Sequence, residues 1–273
     1  LAEYFGAIEG ASLEANKGAY SYAWMIIFAV IAAIMVLIGL YHIRMLPSNQ
    51  IPSTTKKTTS EVGRELVAVI ANFFTKKHIF YYICFIILYR LAEGFIMKIA
   101  PLFLRASREV GGLGLSLKEI GTLNGVFGSA AFVLGSLLAG IYVSKFGLKR
   151  TLFTLCCIFN LPFLAYTFLA VTQPTNVYLI GTCITMEYFG YGFGFVGLTL
   201  FMMQQIAPGK HQMSHYAFAS GIMNLGVMLP GMVSGYFSDL LGYRNFFIYV
   251  LIATIPAFLI TYFIPFTYDD SKK

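Results

Sequence analysis

The chain has 273 residues, of which 58% are hydrophobic and only 11% are charged. Soluble domains are about half apolar and about a quarter charged, so this composition excludes a water-soluble globule. Apolar runs of about twenty residues alternate with short polar breaks, which is the pattern of helices that span a bilayer. The sequence therefore predicts an all-α, polytopic membrane helix bundle.

Seven apolar runs are candidate membrane spans. In chain order they cover residues 20–41, 79–104, 120–143, 151–171, 178–203, 218–241 and 246–266. We expect residues 1–19 to form an extracytoplasmic segment. The remaining divisions are a cytoplasmic link at 42–78, a six-helix bundle at 79–266 and a cytoplasmic tail at 267–273.

The net charge of +7 has a topological explanation and does not require a nucleic-acid partner. When the long polar link is placed in the cytoplasm, most lysines and arginines of the polar breaks fall on the cytoplasmic side. This bias follows the positive-inside rule. It predicts a multi-pass protein of the cell membrane with its N-terminus outside and its C-terminus inside.

The link at 42–78 has two parts of different composition. Its first part contains Pro47 and Pro52 among serines, threonines and lysines, and such a stretch cannot bury apolar area. Thr58 and Glu61 then have the spacing of a capping box. Beyond them, apolar residues recur at helical intervals, which predicts a helix at the cytoplasmic membrane surface; these residues are Val62, Leu66, Val69, Ile70 and Phe73.

The second span contains three charges, in the run YRLAEGFIMKIAP. Because a charge facing lipid costs several kcal/mol, Arg90 and Glu93 are expected to point into the bundle. Their spacing of three places them on one helix face, where they can form an ion pair. The pair either fixes helix packing or serves transport. Lys98, nearer the outer end, is expected to extend to the membrane interface.

The fifth span carries Glu187 in the glycine-rich run MEYFGYGFGFVG. The glycines either let neighbouring helices approach closely or let the helix unwind beside a cavity. Since desolvation favours the neutral form of a carboxyl, Glu187 is a candidate proton carrier. Mid-span asparagines bond either to other helices or to a polar ligand. The predicted substrate or proton pathway comprises Arg90, Glu93, Glu187, Tyr191, Asn124 and Asn224.

Nothing in the sequence indicates an enzyme. There is no phosphate-binding glycine loop followed by Lys-Ser/Thr, no HExxH and no GxSxG. The cysteines fall inside apolar runs and lack metal-ligand spacing, so neither a metal site nor a cofactor is expected. They are Cys84, Cys156, Cys157 and Cys183.

One polar break resembles the G-x-x-x-D-R-x-G-R-R loop of the major facilitator superfamily. The break reads GIYVSKFGLKR, and Ser144 and Lys145 stand where the superfamily has Asp and Arg. The resemblance implies a cytoplasmic gating loop. Four residues fit its pattern, namely Gly140, Gly147, Lys149 and Arg150.

Three further stretches resemble the AmpG-like muropeptide permeases of the peptide, acetyl-coenzyme A and drug transporter family. They are YRLAEGF, EYFGYGFGFVGLTLFM and HYAFASGIMNLGVMLPGMVSGYFSDLLGYRNFF. The resemblance implies a major facilitator fold in which 20–41 is helix six of a parent transporter and 79–266 its C-terminal six-helix half. The missing N-terminal half would be its partner in the bacterial inner membrane.

The resemblance also implies a function, which is import of a cell-wall sugar-peptide with a proton by alternating access. The expected partners are this small solute, the proton and the lipid bilayer. Two alternatives remain open at this point. The chain could belong to a facilitator of another amphiphilic solute, such as a drug, a siderophore or a coenzyme thioester. It could also be a membrane scaffold or sensor that does not transport.

Overall fold

The computed structural model describes residues 4–6, 14–45 and 58–268. Regular structure in these ranges is helical throughout, which confirms the all-α fold class. Residues up to Thr58 and from Thr59 onward form two units. The first contains α1 (Lys17–Met45). The second contains α2 (Thr59–Phe74), α3 (Ile79–Tyr89), α4 (Leu91–Arg105), α5 (Leu117–Thr122), α6 (Ser129–Phe146), α7 (Leu148–Asn160), α8 (Phe163–Thr172), α9 (Val177–Phe201), α10 (Gln212–Ala253) and α11 (Ile255–Tyr262).

Five helical stretches in the described ranges are long and apolar enough to cross a membrane. They are Lys17–Met45, Ile79–Arg105, Leu117–Phe146, Leu148–Thr172 and Gln212–Tyr262. The first four correspond to the first four predicted spans. Together with α9, these five stretches cover all seven predicted spans, because the last stretch takes in both final ones.

The difference from seven spans arises at two places. α9 is long enough to span, but its glycines, its tyrosines and Glu187 lower its mean hydropathy. The last stretch has 51 residues and takes in both final predicted spans. Gly242 interrupts this stretch with φ 70° and ψ 159°, a backbone conformation that favours glycine. The rings of Phe237 and Tyr249 stack at 5.2 Å, although twelve residues of a continuous helix would hold them about 18 Å apart. Gly242 therefore separates two helices that fold back on each other, at the break expected before residue 246.

The helix predicted in the second part of the link is present as α2, while residues 46–57 of the link lie outside the described ranges. Val69 and Phe73 are buried, and the Phe73 ring packs against the rings of His215 and Phe218 on α10. The His215 Nε2 atom lies 3.3 Å from the backbone oxygen of Val69. Leu66 remains exposed, so only part of the apolar stripe packs on the bundle.

Residues 267 and 268 are held to the bundle by side chains that include Tyr82, whose hydroxyl lies 2.8 Å from the Thr267 Oγ1 atom, and Gln205, which nothing in the sequence singles out. The Gln205 Oε1 atom accepts hydrogen bonds from the backbone nitrogens of Thr267 and Tyr268, at 2.8 and 3.0 Å. Its Nε2 atom donates to the Tyr268 oxygen at 2.6 Å. The first two residues of the predicted tail therefore pack on the bundle, and 269–273 lie outside the described residues.

Close contact between α6 and α9 depends on glycine in both helices. A Cβ atom on Gly192 would lie 2.1 Å from the backbone oxygen of Phe132, and one on Gly135 would lie 2.3 Å from that of Phe189. Backbone atoms cannot move aside as a flexible side chain could. α9 remains helical along its glycine-rich stretch, so these glycines serve close approach and not unwinding.

We predict that Gly135→Ala destabilises the protein, whereas Gly140→Ala on the same helix does not. The added methyl at Gly135 meets the α9 backbone, and overpacking of this kind costs about 1–3 kcal/mol. A Cβ atom on Gly140 has no atom within 4 Å. Thermal unfolding of the two variants in detergent measures the difference. Equal melting temperatures would contradict the close packing of α6 on α9.

Candidate functional site

The buried ion pair lies at a break between two helices. Arg90 separates α3 from α4, and its φ of −103° and ψ of 6° depart from helical values. Its Nε atom donates to Glu93 Oε2 at 2.6 Å, and an Nη atom donates to Oε1 at 2.5 Å. The side chains are only 6% and 7% exposed. Both charges are thus shielded from lipid, as expected from the free energy that placing a charge in hydrocarbon requires.

Helix α9 covers this pair from the other side. The Arg90 guanidinium carbon lies 5.4 Å from the centre of the Phe195 ring, which is within range of a cation–π interaction. The hydroxyl of Tyr89 donates to the backbone oxygen of Gly194 at 2.9 Å. At the same point Gly194 lets α9 pack closely on α7, since a Cβ atom there would lie 2.2 Å from the Phe159 Cβ. The ion pair is therefore held between α4 and α9.

A small cavity of about 110 Å³ opens beside Glu93. Four of the six predicted pathway residues line it, and they come from three different helical stretches: Glu93, Asn124, Glu187 and Tyr191. Glu187 lies close enough to Glu93 for their charges to interact. Arg90 neutralises Glu93 directly, and Glu187 has no ion pair of this kind within the described ranges. The cavity thus holds one carboxyl that is in an ion pair, Glu93, and one that has no ion pair within the described ranges, Glu187.

Asn124 reaches the cavity from an irregular part of its helix. It lies in a π-helical segment, Leu123–Gly128, between α5 and α6. Such segments interrupt α-helices and are frequent at functional sites. The Asn124 Oδ1 atom is buried, and no atom of the described residues donates to it. This amide oxygen is therefore available to a ligand in the cavity.

Two tyrosines of the cavity are absent from the pathway predicted by sequence. Tyr188 and Tyr166 line it together with Tyr191. Tyr188 follows Glu187 directly in the sequence, and that position was the signal that could have identified it. Tyr166 lies on α8, where its ring stacks on Phe247 at 5.5 Å. Nothing in its sequence neighbourhood indicates that it reaches the cavity.

The other predicted residues lie elsewhere. Asn224 is exposed on α10 and does not line the cavity. Gly147 alone connects α6 to α7, with a φ of 79° that favours glycine. Its oxygen accepts a hydrogen bond from the Thr151 hydroxyl at 2.9 Å. Lys149 and Arg150 are exposed in the first turn of α7. These loop residues therefore form a separate feature, and Gly140 lies within α6.

The sequence profile described as the Major Facilitator Superfamily matches residues 4–208. This match covers most of the chain. The chain belongs to the Major Facilitator Superfamily. Membership agrees with the membrane helices described above. It establishes a multi-pass membrane protein of a transporter family and not an enzyme.

Curated relatives indicate which members of the superfamily this chain is similar to. The chain is 23% identical over 209 residues to the anhydromuropeptide permease of Escherichia coli (strain K12), covering 77% of this chain and 41% of the relative. It is 25% identical over 238 residues to AmpG 1 of Rickettsia bellii (strain RML369-C), covering 86% and 56%. AmpG 2 of Rickettsia prowazekii (strain Madrid E) is 27% identical over 204 residues, covering 73% and 47%. The chain spans about half the length of these relatives, and their names confirm the AmpG-like resemblance.

We predict that Arg90→Met destabilises the protein more than the double variant Arg90→Met/Glu93→Gln. The single change leaves a buried carboxylate without its partner, which costs about 3–5 kcal/mol, whereas the double change removes both charges. Arg105→Met is the matched control, because Arg105 is exposed at the end of α4. Melting temperatures measured in detergent compare the single variant, the double variant and the control. If the double variant is the least stable, the two residues do not act as a pair.

Proposed function

We propose that this chain forms one wall of a secondary transporter that imports a muropeptide-like solute together with a proton. The observation that carries the proposal is the cavity in which Glu187 faces the Arg90–Glu93 pair. The name of the Escherichia coli relative, anhydromuropeptide permease, supports the solute class. The family supports alternating access around a site near the membrane midplane.

The two carboxyls suit two different tasks in such a transporter. Glu93 is held by two hydrogen bonds from Arg90, so its negative charge is balanced. A carboxyl in a low-dielectric cavity that lacks a cationic partner is more readily held as the neutral acid. Glu187 is therefore the candidate proton carrier.

The ion pair also restricts how Arg90 can bind solute. Its guanidinium already donates to both Glu93 oxygens, so an anionic group of the solute must compete with that carboxylate. A proton transferred to Glu93 would weaken the pair and release Arg90 for the solute. Solute and proton would then bind together, which is the requirement for symport. Asn124 and the three tyrosines supply further hydrogen-bonding groups for a sugar-peptide.

The helices of this chain also have proposed positions in a full transporter. We propose that 20–41 corresponds to helix six of the parent and 79–266 to its C-terminal half, with a second half supplying the other wall. In this arrangement the 42–78 link, the Gly147 loop and the C-terminus lie in the cytoplasm. The charge bias of the polar breaks supports this orientation in a bacterial inner membrane.

We predict that Glu187→Gln abolishes proton-driven accumulation while solute exchange persists. Glutamine keeps the shape and hydrogen bonding of the side chain but cannot carry a proton. The measurement is uptake of labelled anhydromuropeptide by vesicles containing the full-length protein, with and without an imposed proton gradient. Glu109→Gln is the matched control, because Glu109 is exposed between α4 and α5.

Protein abundance in the membrane must be measured alongside, since a misfolded variant loses accumulation and exchange together. Should Glu187→Gln accumulate solute against its gradient as the parent does, Glu187 is not the proton carrier. Failure of the parent protein to take up labelled anhydromuropeptide would instead contradict the proposed solute.

A further inference from the structure

A buried histidine lies beneath α2, where that helix packs on the beginning of α10. The side chain of His215 is enclosed, and the residue is 0% exposed. Its ring packs against Phe73 of α2 at 5.7 Å and against His211 of its own helix at 6.0 Å. Its Nε2 atom faces the backbone oxygen of Val69 at 3.3 Å. The docked position of α2 therefore encloses a titratable imidazole.

The neutral form of this imidazole suits the enclosure better than the protonated form. Because Nε2 faces a carbonyl oxygen, the proton of the neutral ring lies on Nε2 and the lone pair on Nδ1. The Nδ1 atom of His215 is buried and has no hydrogen-bond partner among the described residues. Protonation would add a positive charge and a second N–H group there, and burial of both without an acceptor is costly.

The charges that surround His215 also oppose its protonation. Lys76, in the turn between α2 and α3, lies close enough to His215 for their charges to interact, and so does His211. The Lys76 amine donates to the backbone oxygens of Ile206 and Pro208, at 2.5 and 2.7 Å, and these bonds hold the ammonium in place. Other ionisable residues of α2 and of the adjoining connections are exposed, namely Glu61, Arg64, Glu65, Lys77, His78 and Lys210.

Movement of α2 away from α10 would open His215 to water. An ordinary histidine has a pKa of about 6.5. Above that pH the imidazole is neutral whether α2 is docked or released, so docking has its full strength. Below it, the released state takes up a proton that the docked state disfavours, so docking weakens as the pH falls. One pH unit below 6.5, the ratio of docked to released α2 falls about tenfold.

We propose that α2 is a pH-sensitive latch, which is closed while His215 is neutral and released when His215 is protonated. The latch lies beside the connection between α9 and α10, to which Lys76 is bonded. α9 carries Glu187, and α3, which follows α2, leads directly to Arg90. In the predicted topology this end of the bundle faces the cytoplasm, so the signal is acidification of the cytoplasm. The latch does not depend on which solute or ion is transported.

The test is thiol modification on two faces of α2 in the full-length protein in detergent. Val69→Cys places a thiol on the face that packs on α10, and Leu66→Cys places one on the exposed face. In both, serine replaces the native cysteines that are not fully buried, Cys84, Cys157 and Cys183. The ratio of the two rates cancels the effect of pH on thiol and reagent. We expect the rate at position 69, relative to 66, to rise about tenfold between about pH 8 and about pH 5.5.

Two substitutions remove the titration of His215 in different ways. His215→Gln keeps a donor for the Val69 oxygen, and His215→Phe keeps an aromatic ring against Phe73. In both variants the rate ratio should no longer depend on pH. His211→Gln is the matched control, because His211 is a titratable neighbour on the same helix and its replacement should leave a pH response. Phe73→Ala gives the rate ratio of released α2 at each pH.

A rate ratio that does not change with pH in the parent protein would overturn the proposal, whatever the variants show. A pH response that persists in His215→Gln or in His215→Phe would also overturn it, because another group would then be the sensor. The same conclusion follows if the response disappears in His211→Gln. Should one His215 variant fail to dock α2, its ratio equals that of Phe73→Ala at each pH, and the parent and the other variant decide.

Discussion

The bilayer gives buried charges no solvent, and the structure of this chain is organised around that constraint. Arg90 and Glu93 neutralise each other through two hydrogen bonds and are almost completely buried. Tyr89 donates to the backbone oxygen of Gly194 on α9, and the Phe195 ring of the same helix lies over the Arg90 guanidinium. The glycines of α9 serve a different contact, because they let α9 pack closely on α6 and α7.

Interruptions of the helices produce the features that bear on function. The break at Arg90 turns a charged side chain back onto its own helix. The π-helical segment after α5 presents Asn124 to the cavity. The break at Pro162 lines an apolar groove between α6, α8 and α9.

α9 separates a polar side of the bundle from an apolar one. Glu187 and Tyr191 face the small cavity, whereas Met186 and Gly190 face the apolar groove. Residues three and four apart share a helix face, so this division follows the helical period.

The sequence by itself determined the all-α class, the positions of the apolar helical stretches, the existence of α2 and the pairing of Arg90 with Glu93. Hydropathy, helical period and spacing within one helix are local properties, and the cost of a charge in lipid applies wherever the charge lies. Only the tertiary structure decided that Asn124 and Tyr166 share a cavity with Glu187 while Asn224 does not. It also decided that the chain turns back at Gly242, so that the rings of Phe237 and Tyr249 stack. These outcomes depend on which helix faces meet, and that is set by close packing between segments distant in the chain.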